Sequence, residues 1–250
     1  MTLLILLFGI IALLYSSVGF GGGSSYLALL VLWELPYTII PMLALACNII
    51  VVSGNSLHYV RARHFDNRLL IPYLIGSIPL SYLGGTLLID QKLFEWLIFL
   101  SLLIASLLMI RQHRAYDNPH AQYTPPALFP AISAGAALGF LSGLIGIGGG
   151  IFLAPLLYLQ RAGSPRRIAT TASLFILINS LAGLLGHLQK SGFLGTLLTY
   201  WPLLFAVFLG GQTGNLLSLK FFPLSAIVLI TGILILFVSL RMGVNVTGLL

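Results

Sequence analysis

Charge is what this chain has least of. Asp, Glu, Lys and Arg together make up 7% of its 250 residues, against about 25% in soluble domains. So few charged side chains cannot clothe a water-facing globule, and a soluble domain is excluded. Cysteine is nearly missing too: Cys47 stands alone, which rules out an intramolecular disulfide or a cysteine-built metal site and leaves it a packing role in apolar surroundings. Neither a G-x-S-x-G elbow nor an H-E-x-x-H helix occurs, so an enzyme is not expected and no cofactor or metal is called for. No Asp, Glu, Lys or Arg lies deep within a long apolar segment, which argues against an ion pathway built on buried carboxylates. No Lys or Arg precedes the first apolar run, and further hydrophobic segments follow it. It therefore reads as a retained helix rather than a signal peptide.

What fills the chain instead is apolar: 58% of the residues, with a mean hydropathy of +1.05. The composition defines an all-α integral membrane protein. Its long apolar segments fall in two sets that share one rhythm: a long segment, a glycine break, a short segment, and three more long segments. The breaks read VGFGGG from Val18 to Gly23 and IGIGGG from Ile145 to Gly150, 127 residues apart. The short segments after them, Tyr26 to Trp33 and Phe152 to Leu159, would each cover only about 12 Å as helices, far below a bilayer's span. They are expected to be half-helices. Between the sets lies RQHRAYDNPHAQYTPP, the most polar stretch. The expected organisation is a first transmembrane repeat at 1–110, a polar linker at 111–126 and a second repeat at 127–250.

Loop charges orient this plan. Arg61, Arg63, Arg68, Arg111, Arg114, Arg161, Arg166, Arg167 and Lys220 fall in loops that can all be cytoplasmic, leaving Lys92, Lys190 and Arg241 outside beside Glu34, Asp90 and Glu95. This holds only if each glycine-broken element returns to the side it entered from. A returning hairpin plus three crossings starts the first half outside and the second inside. The expected fold is thus two inverted repeats, each a glycine-broken helical hairpin plus three transmembrane helices. The formal charge of +7 then reports topology, and no nucleic-acid partner is implied; membrane lipid is the surrounding partner, and a homo-oligomer is left open.

Broken backbone at bilayer depth is tolerable only under protein cover or beside a polar cavity. A glycine-rich helix start leaves N–H groups free and adds the positive end of the helix dipole, a combination suited to an anion. Gly21, Gly22 and Gly23, with the hydroxyls of Ser24 and Ser25, and Gly148, Gly149 and Gly150 are accordingly the first candidates for substrate contact. Close packing of helices is the alternative role for such glycines. Asn48, Thr171, Ser173 and Asn179, polar residues within apolar segments, are the second tier. The GGQTGN stretch holds weaker amide candidates, Gln212 and Asn215. His58 and His187, 129 residues apart near the ends of corresponding segments, are candidates for proton coupling. Interfacial placement is the simpler reading of both.

Together SVGFGGG, LIGIGGGIFLAPLL and IATTASLFILINSLAGLLGHL resemble the TauE/SafE sulfite exporter family, across nearly the whole chain. The first half's GFGGGSS departs from the second copy's GIGGGIF. The resemblance implies export or exchange of small sulfur-containing anions, sulfite, sulfoacetate or related sulfonates, across a bacterial-type plasma membrane. Composition and motif chemistry by themselves point only to a small anion, handled by a carrier or a channel. A non-catalytic assembly subunit is the rival from another class.

Overall fold

The computed structural model describes residues 1–18, 20–61, 65–112, 126–160, 162–190, 193–217 and 224–247. Among the described residues the chain is all helix: α1 (Thr2–Val18), α2 (Gly23–Leu32), α3 (Ile40–Arg61), α4 (Asn67–Thr86), α5 (Gln91–Gln112), α6 (Leu128–Ile145), α7 (Gly150–Leu159), α8 (Pro165–His187), α9 (Phe193–Thr199), α10 (Trp201–Leu217) and α11 (Leu224–Thr247). Five of them, α3, α4, α5, α6 and α8, are long and apolar enough to cross a membrane. The chain is a multi-pass membrane protein. Most of the polar linker lies outside the described residues.

The two short elements form where the breaks demand them. Gly22 caps α2 at φ 77° and Gly149 caps α7 at φ 76°, left-handed conformations that glycine adopts without steric cost. Each new helix then runs ten residues, about 15 Å. One long segment behaves otherwise. The apolar run from Leu194 to Leu219 reads as a single helix, but it divides into α9 and α10 around Tyr200, because Pro202 lacks the N–H that a continuous helix would use.

Helix α4 packs on α6, and α1 on α10, in the two most extensive pairings of the bundle. Both rest on glycine. Gly135, Gly139 and Gly143 of α6 face the backbone of Tyr73, Ser77 and Ser81 in α4, so these helices run parallel in a fixed register. Gly210 and Gly214 of α10 face Gly9 and Leu13 of α1, again in parallel. Such stripes of small residues let backbones approach and pack without a hydrophobic drive from water. α3 and α8 cross at the centre and are the most enclosed of the five long helices, 72% and 67% buried against 44% or less for the others. Outer helices turn apolar side chains outward, among them Leu100, Ile104 and Leu107 of α5 and Phe205 and Phe208 of α10.

The ends of the bundle differ in chemistry. At one, Asp66 caps α4 by accepting from the Arg68 N–H at 3.0 Å and pairs with Arg167 at 3.6 Å, while Ser164 caps α8. At the other, the end of α2, the start of α3, the end of α4 and the start of α5 meet around Glu34, Tyr37, Gln91 and Glu95.

Candidate functional site

The two glycine breaks meet. A Cβ built on Gly23 would collide with the carbonyl of Ile147 and lie 2.6 Å from Asn48 Nδ2, and one on Gly148 would lie 2.6 Å from the same nitrogen. Gly21 faces Asn48 Oδ1, Val52 and Ile176; Gly150 faces Ile176. Residues separated by more than a hundred positions thus share one small volume at the crossing of α3 and α8. Asn48 is its hub. Its Nδ2 donates to the Ile147 carbonyl at 3.4 Å, a long bond, while its Oδ1 is buried with no partner. Ile176 of α8 also touches glycines of both breaks. An amide from α3 and an apolar side chain from α8 therefore both line the meeting point.

Around this hub stand further polar groups. Ser56 and Ser173 share a hydrogen bond of 3.2 Å between α3 and α8. Asn179 donates to the Phe175 carbonyl of its own helix at 2.8 Å and leaves its Oδ1 unpartnered, while its main-chain carbonyl accepts from Ser81 at 2.7 Å. Thr171 is buried beside them in sequence on α8. Ser24 is buried in the first turn of α2, but the Ser25 hydroxyl is already engaged with Tyr15 of α1 at 3.0 Å, so Ser25 braces the hairpin. All residues from Gly21 to Ser25 and from Ser142 to Gly150 are closed to solvent. Reaching the hub from solvent requires the loops to part.

Sequence reasoning singled out Asn48 on α3. Ser53 turns outward and bonds its own helix at Ile49, whereas Asn55 and Ser56 face inward. Spacing carried that signal: Asn55 follows Asn48 by two helical turns and lies on the same face. The Asn55 Nδ2 is buried without a partner. Gln212 and Asn215 of α10 approach Gly54, on the far side of α3 from Asn48's glycine contacts.

His187 ends α8, away from the hub. It is buried, and its Nε2 donates to the Gly143 carbonyl at 2.9 Å while Nδ1 has no partner. Lys190, three residues on, donates to the Leu87 carbonyl at 2.9 Å, and its partial burial pulls the ammonium down to a pKa of about 8. The side chain of His58 lies outside the described residues.

Two half-helices meeting head to head inside a bundle of membrane-spanning helices are the architecture of a membrane transporter. The chain belongs to the sulfite exporter TauE/SafE family, whose model matches residues 4–242. It is similar to the probable membrane transporter protein y4hK of Sinorhizobium fredii, 30% identical over 94% of this chain and 95% of that one. Probable membrane transporter proteins of Methanocaldococcus jannaschii and Bacillus subtilis are 29% and 26% identical, over 76% and 69% of this chain and 73% and 72% of theirs. No solved structure matches it.

Proposed function

We propose that this protein is a secondary transporter that exports or exchanges small sulfur-containing anions, sulfite, sulfoacetate or related sulfonates, by alternating access across a bacterial-type plasma membrane. The observation that carries this reading is the meeting of the two glycine breaks around Asn48. An anion entering there would take the place of the long Asn48 bond and meet the N–H groups of two helix starts, so dipoles and neutral donors hold it without a buried fixed charge. Gly21 to Gly23, Ser24 and Gly148 to Gly150 form the cradle, Asn48 its polar wall, and Thr171, Ser173 and Asn179 its flank. Closure of the loops to solvent favours a carrier over an open channel.

The halves divide at 111–126 and act as inverted repeats in this proposal. Support comes from exchange of the halves, which maps the parallel pair α4 and α6 onto the parallel pair α10 and α1. His187, together with His58, is proposed to couple protons to the anion. Sulfite flux into liposomes bearing the purified protein tests the reading. Asn48→Leu and Gly149→Leu are expected to lower flux at least about tenfold while the protein stays monodisperse; wild-type flux in both variants refutes the cradle. An assembly subunit would give no flux by itself.

A further inference from the structure

At the end of the bundle that carries Glu34 and Glu95, two cavities lie side by side. The larger, of about 440 Å³, is lined by Glu34, Tyr37, Gln91, Phe94 and Glu95 among others. The smaller, of about 30 Å³, is lined by Tyr37, Phe94, Leu144, His187 and Lys190 among others. They share Tyr37 and Phe94, whose rings pack 5.8 Å apart at 49°. That ring pair lies between an acidic hollow, the outer chamber, and a smaller basic one, the inner chamber. The inner chamber borders the second glycine break: Leu144 lines it, Gly143 holds His187, and a Cβ on Gly146 would lie 2.6 Å from Pro41, another lining residue.

We propose that the inner chamber is a peripheral binding site for a proton-bearing oxyanion. The chemistry comes from two groups with opposite needs. A carbonyl can only accept, so the neutral His187 ring carries its proton on Nε2 and presents Nδ1 as an acceptor in need of a donor. Lys190 offers positive charge and N–H donors. A hydrogen oxyanion meets both, its O–H donating to Nδ1 and its charged oxygens accepting from Lys190. A fully deprotonated dianion satisfies Lys190 alone, and water satisfies Nδ1 alone. Glu34 and Glu95 on the outer chamber act in the same sense, since two carboxylates repel a dianion more than a monoanion. The volume admits about one water-sized group, so one O–H enters while the rest of the anion stays at the mouth beside Lys190 and Thr38.

This site rests on the small-anion reading and adds the protonation state that is recognised. Its test is a titration of the purified full chain with sulfite in mildly acidic buffer, where the hydrogen anion prevails, and with sulfate, a dianion there. Sulfite is expected to bind the wild type at least about tenfold more tightly than sulfate. Lys190→Gln and His187→Gln should each weaken sulfite about tenfold, Lys190→Arg should restore most of the affinity, and Lys92→Gln should leave it unchanged. No sulfite binding by the wild type, equal binding of both anions, or unaltered affinity in both chamber variants overturns the proposal. Titration needs no turnover, so the two readings fail separately. The expected pattern without flux refutes transport alone, and normal flux with unaltered affinities refutes the chamber alone.

Discussion

At the scale of single residues, the site depends on atoms with nowhere else to go. Gly22 and Gly149 hold left-handed φ, and an alanine there should cost about 1–2 kcal/mol, read as a lower thermal unfolding midpoint in detergent. Gly148→Ala should lose more function than stability would explain, because its Cβ would also displace Asn48 from both loops. Lys190 gives a pH signature. Burial holds its pKa near 8, below the ordinary lysine value, so the charge is present under that pH and lost above it. Sulfite affinity at the inner chamber should fall as the hydrogen anion loses its proton and again as Lys190 loses its charge through about pH 8, and Lys190→Arg should remove only the second loss. His187 and Tyr37 also face the chamber, with Glu34 and Glu95 beyond the ring pair. Folding responds in the opposite direction: a depressed lysine pKa favours the neutral form in the folded state, so this residue's contribution improves from pH 8 upward. Sequence made the glycine caps legible, since few other residues tolerate that conformation. It could not show that Tyr15 captures the Ser25 hydroxyl or that Asn48 reaches Ile147, because both depend on tertiary distances and no local spacing encodes them.

At the scale of elements, glycine stripes fix which helices travel together. Gly135, Gly139 and Gly143 press on the main chain of α4, as Gly76 and Gly84 press back on α6. Valine at Gly139 or Gly143 is expected to abolish a monodisperse peak on size exclusion, since main chain cannot give way as a flexible side chain can. Gly195 of α9, with open space around it, is the control, and its alanine variant should behave as wild type. The short α2 and α7 were readable from the distance between their breaks and the next polar residues. The division of α9 from α10 was masked by unbroken hydrophobicity, which a lone proline near a helix start does not interrupt in a sequence profile.

At the scale of the whole molecule, the opposed chemistry of the bundle's ends gives a topological test. Single cysteines at Arg68 and at Asp90, placed in a Cys47→Ala background, should be labelled by an impermeant maleimide from opposite faces of the membrane. Labelling from the same face would overturn the inverted arrangement. Cys47 is itself buried, and its removal leaves a clean background. The glycine seams have a mechanical consequence. Helices α4, α6 and α8 touch main chain to main chain at Gly85, Gly143, Gly183 and Gly186, so they cannot flex separately and must move as one plate. Between α3 and α8 the contact includes a side-chain bond, a serine pair, with the stretched amide bond of Asn48 to the Ile147 carbonyl near it. If the cycle slides this plate along that seam, a disulfide between cysteines at Ser56 and Ser173 would arrest transport while leaving each plate's internal packing intact.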